Sequence, residues 1–309
     1  MEKKNIFTHP LVVTLCALLC CALWGSATPF IKIGGALIKA DDTVASTLVF
    51  AGVRFFGAGV LTVLIYSVAR RKLLYPKKEN LGRVGIVACF QTIIQYLFFY
   101  VGLANTSGVK GTVLSGSSPF FAILVSCLIF RMEKLNFKKI IACLLGFTGI
   151  ILVNINGLKF DMNLLGDTFV IFSAISLAIS SVLMKNFSKH EDPVVLSGYQ
   201  FILGGAVMVG VGLIFGGRIQ FPSTASVFVM LYLSLLSAVA YALWGMLLKH
   251  NPVSKVTIFS FSTPIMGVIL STLLLNESSK VSWPVLILTL LFVSGGIFLL
   301  NYVPKKKDE

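Results

Sequence analysis

The stretch GTVLSGSSPFFAILVSCLIFRMEKLNFKKIIACLLGFTGIILVN, Gly111 to Asn154, decides the fold. It holds two apolar runs, each long enough to cross a bilayer, joined by a charged hairpin from Arg131 to Lys139. Pro119 interrupts the first run. The pattern returns as VTIFSFSTPIMGVILSTLLLNESSKVSWPVLILTLLFVSGGIFLLN, Val256 to Asn301. Pro264 answers Pro119, Glu277 answers Glu133, Gly296 answers Gly149 and Asn301 answers Asn154, at offsets drifting only from 144 to 147. At an offset of 145, Tyr96 also pairs with Tyr241 and Ser115 with Ser260. The chain is a duplication.

Composition agrees. Of 309 residues, 56% are hydrophobic and 12% charged, with a mean hydropathy of +0.91. A soluble domain carries about 25% charged residues, so an ordinary water-soluble globule is excluded. Ten apolar stretches reach membrane-crossing length: 11–33, 45–69, 84–104, 109–130, 140–156, 166–185, 194–215, 226–249, 255–276 and 282–303. The expected fold is an all-α polytopic membrane protein with almost nothing left for an extramembrane domain. Its repeats are 1–156 and 157–309.

The net charge of +14 is placed for a membrane, not for nucleic acid. Lys and Arg flank the helices without forming a basic face or an interleaved aromatic platform. With a cytoplasmic N-terminus, nineteen basic residues fall inside, six outside, and Arg54 alone within a span. This predicts a multi-pass protein of the cytoplasmic (inner) membrane with both termini cytoplasmic. The bias is weaker in the second half.

Several chemistries are missing. The cysteines (Cys16, Cys20, Cys21, Cys89, Cys127 and Cys143) lie in apolar runs without metal-ligand spacing, and read as packing residues. The twelve acidic residues fall in loops, termini or span ends, and His9, His190 and His250 are peripheral. A proton relay therefore has no evident members. No phosphate-binding loop is present. We expect no ATP hydrolysis, no enzyme activity, no cofactor and no metal. The first span is too long for a signal-peptide core and is expected to be retained.

Polar residues inside the spans mark the candidate site. The first span carries Trp24-Gly25 and Pro29, with Trp24 near its middle. Arg54 lies about nine residues into the second span, roughly 13 Å deep. An intramembrane arginine costs about 2.5–3.5 kcal/mol on insertion scales. It could anchor a substrate carboxylate, or bond carbonyls freed at neighbouring kinks. Gln91 and Gln95, and Tyr96 and Tyr100, stand one turn apart and give the third span a polar-aromatic face. In the fourth span Ser115 and Ser118 precede Pro119, which cannot bond the carbonyl of Ser115 and kinks the helix. Ser260 and Thr263 repeat the device before Pro264. Interrupted helices at matching places in two halves point to a midplane transport site. Ser173, Ser176 and Ser180 share a face of the sixth span, and Tyr241 and Trp244 stand in the eighth. Glu133 and Glu277 are expected to be structural, bonding the hairpins that follow them.

Taken together, Trp24-Gly25 with Pro29, Arg54-Phe55, Tyr96, the Ser115–Pro119 kink with Glu133, GFTGIILVN and their second-half counterparts resemble the EamA-type branch of the drug/metabolite transporter superfamily. No single motif is specific, but their order, spacing and duplication span essentially the whole chain. The resemblance implies two inverted five-helix repeats and alternating access. It also implies a cavity lined by the first, third, fourth, sixth, eighth and ninth helices. Leu177-Ala178, standing roughly opposite Trp24-Gly25, departs from the pattern.

The expected function is export of a small polar metabolite, foremost an amino acid or related compound. The expected substrate contacts are Trp24, Arg54, Gln95, Tyr96, Ser115, Ser118, Tyr241, Trp244, Ser260 and Thr263, with Pro119 and Pro264 as hinges. Multidrug export and nutrient uptake are the alternatives, and a polytopic lipid enzyme is a remote one. The expected partners are a small-molecule substrate and the lipid bilayer, with no nucleic acid. The oligomeric state is read as monomer or weak dimer.

Overall fold

The computed structural model describes residues 5–155, 163–275 and 283–301. It contains ten helices long and apolar enough to span a bilayer: α1 Pro10–Ile38, α2 Val44–Ala69, α3 Lys78–Ala104, α4 Gly108–Ile129, α5 Phe137–Asn154, α6 Leu164–Phe187, α7 Pro193–Ile214, α8 Thr224–His250, α9 Val253–Leu273 and α10 Pro284–Asn301. Among the described residues the β content is one isolated bridge, Lys39 to Ile219. The protein is all-α and multi-pass. All ten expected spans are present, although α1 runs on to Ile38 and α3 starts already at Lys78. Glu277 lies outside the described residues, as do Lys159, Lys280 and Lys305 to Lys307.

Both proline-marked helices are broken. α4 consists of Gly108–Ser115 and Ser118–Leu124 around a turn at Gly116-Ser117, followed by a π-helical stretch Val125–Ile129. Pro119 falls in the first turn of the second piece, where its missing N–H leaves no bond unmade. In α9 a 3-10 stretch, Ile258–Phe261, separates Val253–Thr257 from the helix that resumes at Ser262, again with the proline in its first turn. α1, by contrast, runs unbroken past Pro29.

Glycines let the repeats approach backbone to backbone. A Cβ added to Gly52 would lie 2.9 Å from the Gly205 carbonyl oxygen, and one on Gly59 2.5 Å from that of Gly198. Residues 52 and 198, and 59 and 205, are each 146 apart, so the two contacts are copies of one another. The α5–α10 pair behaves likewise. Gly149 faces Val293 and the carbonyl of Thr289, while its counterpart Gly296 faces the carbonyl of Ala142. In both pairs the residue numbers rise along one helix as they fall along the other, so counterpart helices run antiparallel. Reciprocal contacts of this kind are what a two-fold relation produces, and from them we infer that the repeats are inverted. Asn154 and Asn301 even make the same side-chain bond, to the carbonyls of Ile150 and Ile297.

The packing departs from this symmetry in one respect. α6 packs against α8 and α9, whereas α1 makes no comparable contact with α3 or α4. The α6 contacts gather at the end of the bundle that holds the N-terminus. There Lys185 donates to the carbonyls of Leu248 (3.0 Å) and Asn251 (2.5 Å), and Asn251 Nδ2 donates to the carbonyl of Phe7. Lys185 thus caps the C-terminus of α8, where a cation is favourable, and not that of its own helix. Glu133 joins the same end. It accepts hydrogen bonds from Lys139 (2.9 Å), Ser126 and the Ser254 backbone and hydroxyl, so it ties the α4–α5 hairpin to the start of α9 and does more than close its own hairpin.

Candidate functional site

At the middle of the bundle the two repeats meet through residues that are counterparts of each other. The hydroxyls of Tyr96 and Tyr241, 145 residues apart, lie 3.2 Å from one another. Phe55 and Phe201, 146 apart, stack with ring centroids 5.1 Å apart and planes within 7°. A residue touches its own counterpart only near the axis that relates them. Around these pairs the rings are continuous. Phe55 lies 4.5 Å from Tyr96, Phe201 4.8 Å from Tyr241, and Trp24 5.1 Å from Tyr241 and 5.0 Å from Trp244. Trp24 packs against three separate apolar clusters, so it stands where they join.

Arg54 is the charged member. It is 4% exposed, with its guanidinium carbon 4.2 Å from the Phe55 ring centroid and 6.0 Å from that of Tyr96. Ring faces attract a desolvated cation. No carbonyl or carboxylate among the described residues receives a hydrogen bond from its guanidinium, and its buried Nε has no partner. The alternative in which Arg54 serves freed carbonyls at the kinks thus finds no such bond among the described residues. The backbone on either side is well anchored, because Ser234 donates to the Arg54 carbonyl (3.1 Å). At the offset of 146 the counterpart of Arg54 is Gln200, fully buried, whose Oε1 accepts from Thr92 at 2.7 Å. The symmetric frame therefore carries its positive charge in one repeat only.

Other unpartnered polar atoms lie buried in the same bundle. They are Trp24 Nε1, the Oε1 atoms of Gln91 and Gln95, Gln200 Nε2, Thr263 Oγ1 and, in α10, Thr289 Oγ1. A buried donor or acceptor without a partner costs about 1–3 kcal/mol, so these atoms call for a partner, protein or solvent.

Of the ten expected contact residues, Trp24, Arg54, Tyr96, Tyr241 and Trp244 are brought together in this centre. Gln95 is buried on the same helix as Tyr96. Ser115, Ser118, Ser260 and Thr263 stand at the two helix breaks, and no hydrogen bond joins them to the aromatic centre. Ser115 spends its proton within its own helix, on the carbonyl of Gly111 at 2.6 Å. Pro119 is buried and Pro264 half-buried beside those breaks. Ser176, from the serine face of α6, donates to the Phe90 carbonyl at 2.6 Å, next to the π-helical stretch Cys89–Ile94 of α3. The sequence reading missed Phe201 and Gln200, and it left α2 and α7 out of the lining helices. The signal was available, since the repeat offset pairs Phe201 with Phe55 and Gln200 with Arg54.

Comparison with known proteins follows this geometry. The profile of the EamA-like transporter family matches twice, over residues 11–155 and 164–302. A WAT1-related chloroplastic protein of Arabidopsis thaliana is 27% identical over 81% of this chain, which spans 63% of that protein's length. An uncharacterized transporter of Synechocystis is 26% identical, covering 88% of this chain and 87% of its own. The uncharacterized transporter YoaV of Bacillus subtilis is 25% identical over 82% of this chain and 86% of its own. One solved crystal structure superposes with a TM-score of 0.77 at 17% identity, covering 93% of this chain and 96% of that one, which shows the shared fold.

Proposed function

Because the chain belongs to the EamA-like transporter family, we propose that it is a secondary transporter exporting a small carboxylate-bearing metabolite, foremost an amino acid. Transport proceeds by alternating access around the Arg54 centre, in the cytoplasmic membrane with both termini cytoplasmic. One observation carries the substrate class: a buried arginine with an unpartnered donor, whose repeat counterpart is the neutral Gln200. A lone cation in a bilayer core is costly and is relieved by an anion. A carboxylate matches the fork of guanidinium donors. The unequal packing of α6 and α1 supports alternating access, because it closes the bundle at the N-terminal end and leaves the counterpart seam slack. Without an acid in the bilayer centre, facilitated diffusion or exchange fits better than carboxylate-based proton antiport. A cationic drug would meet Arg54 as a like charge, which counts against multidrug export.

The test is direct binding. Trp24 and Trp244 adjoin the centre, so occupancy should change tryptophan emission. Free amino acids should alter it and their methyl esters should not. Arg54→Gln should weaken binding by at least about tenfold, the loss of one charge-assisted bond. Equal binding of acid and ester would remove the carboxylate from the reading.

A further inference from the structure

We propose that the N-terminal end of the bundle carries a second binding site, for a phosphate-bearing anion, in the cleft between the α4–α5 hairpin, the start of α9 and the end of α10. The cleft is a cavity of about 340 Å³. Lys134, Lys138 and Lys255 line it, and among the described residues none of the three is salt-bridged. Its one carboxylate, Glu133, is already occupied by Lys139 and by the Ser254 backbone and hydroxyl. Among the described residues the cleft therefore holds about three positive charges without a salt-bridge partner, around a space with room for a headgroup. Three like charges around one concavity repel each other, and an anion is what relieves them. Arg131 adds to the same sign in an adjoining depression that shares Glu133 and Lys134.

The far wall separates two sources of that chemistry. Leu299 and Leu300 line the cleft from α10, the span with the smallest buried share. An aliphatic wall on a peripheral helix beside lysines at the end of the spans suits an amphiphile, with its phosphate on the lysines and its chains along the leucines. Basic niches between membrane helices bind anionic lipid headgroups in this way. A free phosphate would use the lysines alone.

Thermal unfolding of the purified full-length protein in detergent tests this, with added phosphatidylglycerol, phosphatidylcholine or inorganic phosphate. Phosphatidylglycerol should raise the unfolding midpoint and phosphatidylcholine should not. The triple change of Lys134, Lys138 and Lys255 to Gln should abolish the shift, while Lys72→Gln with Lys78→Gln, outside the cleft, should keep it. The corresponding triple Arg change should also keep it. If the triple Gln protein is not recovered folded, Lys138→Gln alone should reduce the shift. An equal shift from inorganic phosphate, lost in the same variants, would identify the ligand as a free anion at the same site. A lipid shift that survives the Gln substitutions, or no shift from either anion, would overturn the proposal.

Discussion

Tyr96 and Tyr241 share one hydrogen bond, and each is the other's counterpart, so this bond joins the repeats at their axis. Tyr96→Phe and Tyr241→Phe should each cost about 1 kcal/mol. The double variant should cost little more than either alone, because both substitutions remove the same bond. Unfolding midpoints of the four proteins measure this directly, and strictly additive losses would contradict the shared bond. The sequence offered that pair because aromatic residues in matching helices are easy to align. The pairing of Arg54 with Gln200 follows from the same offset, but unlike side chains make it easy to pass over. The sequence does not show that Arg54 Nε has no hydrogen-bond partner, which depends on where every neighbouring carbonyl points.

At the scale of helices, the broken spans were legible and the glycine seam was not. A proline preceded by serines in two corresponding runs has one local consequence, and both breaks appear beside Pro119 and Pro264. Glycines are frequent in membrane helices for many reasons, and those of α2 and α7 acquire meaning only when the two helices are placed together. A Cβ on Gly205 would lie 2.4 Å from the Phe56 nitrogen, whereas one on Gly210 meets nothing within 4 Å. Gly205→Ala should therefore cost about 1–3 kcal/mol by forcing the seam apart. Gly210→Ala should be neutral or gain up to about 1 kcal/mol in helix propensity.

The Glu133 tie makes a pH prediction. Burial pushes its carboxyl upward, but the bonds from Ser254 and Lys139, with the charge of Lys139, outweigh this and hold it below the ordinary 4.5. A carboxyl depressed in the folded state stabilises fully above its unfolded value of about 4.3 and loses that contribution as pH falls through the folded one. The unfolding midpoint should accordingly be insensitive to Glu133 between about pH 8 and 5 and fall below that. Glu133→Gln should lower stability by about 3 kcal/mol at neutral pH, by breaking a buried pair, and flatten the acid limb. A Gln variant with the wild-type acid profile would show that the tie contributes nothing.

For the molecule as a whole, ten spans and the duplication were readable because membrane hydropathy and repeat spacing are long-range regularities that survive divergence. Which end of the bundle is closed was not readable, since it depends on contacts between helices far apart in sequence. The charge bias predicts that reporters fused to either terminus are active only in the cytoplasm, and activity of either outside would reverse the orientation. Closure at the N-terminal end rests on Lys185 capping α8 and on Glu133 reaching α9. If the proposed alternating access holds, Lys185→Ala should shift the population toward opening at that end, seen as faster labelling there by an impermeant thiol reagent on a nearby introduced cysteine.

On the proposed reading, Arg54 holds a substrate carboxylate during transport. Counterflow in proteoliposomes preloaded with a pooled amino-acid mixture tests it most directly, comparing wild type with Arg54→Gln and Gln95→Ala. Accelerated exchange of particular amino acids by wild type, lost in folded Arg54→Gln, is the predicted result. Exchange that persists undiminished in Arg54→Gln, or a folded wild-type protein that exchanges no amino acid, would contradict it.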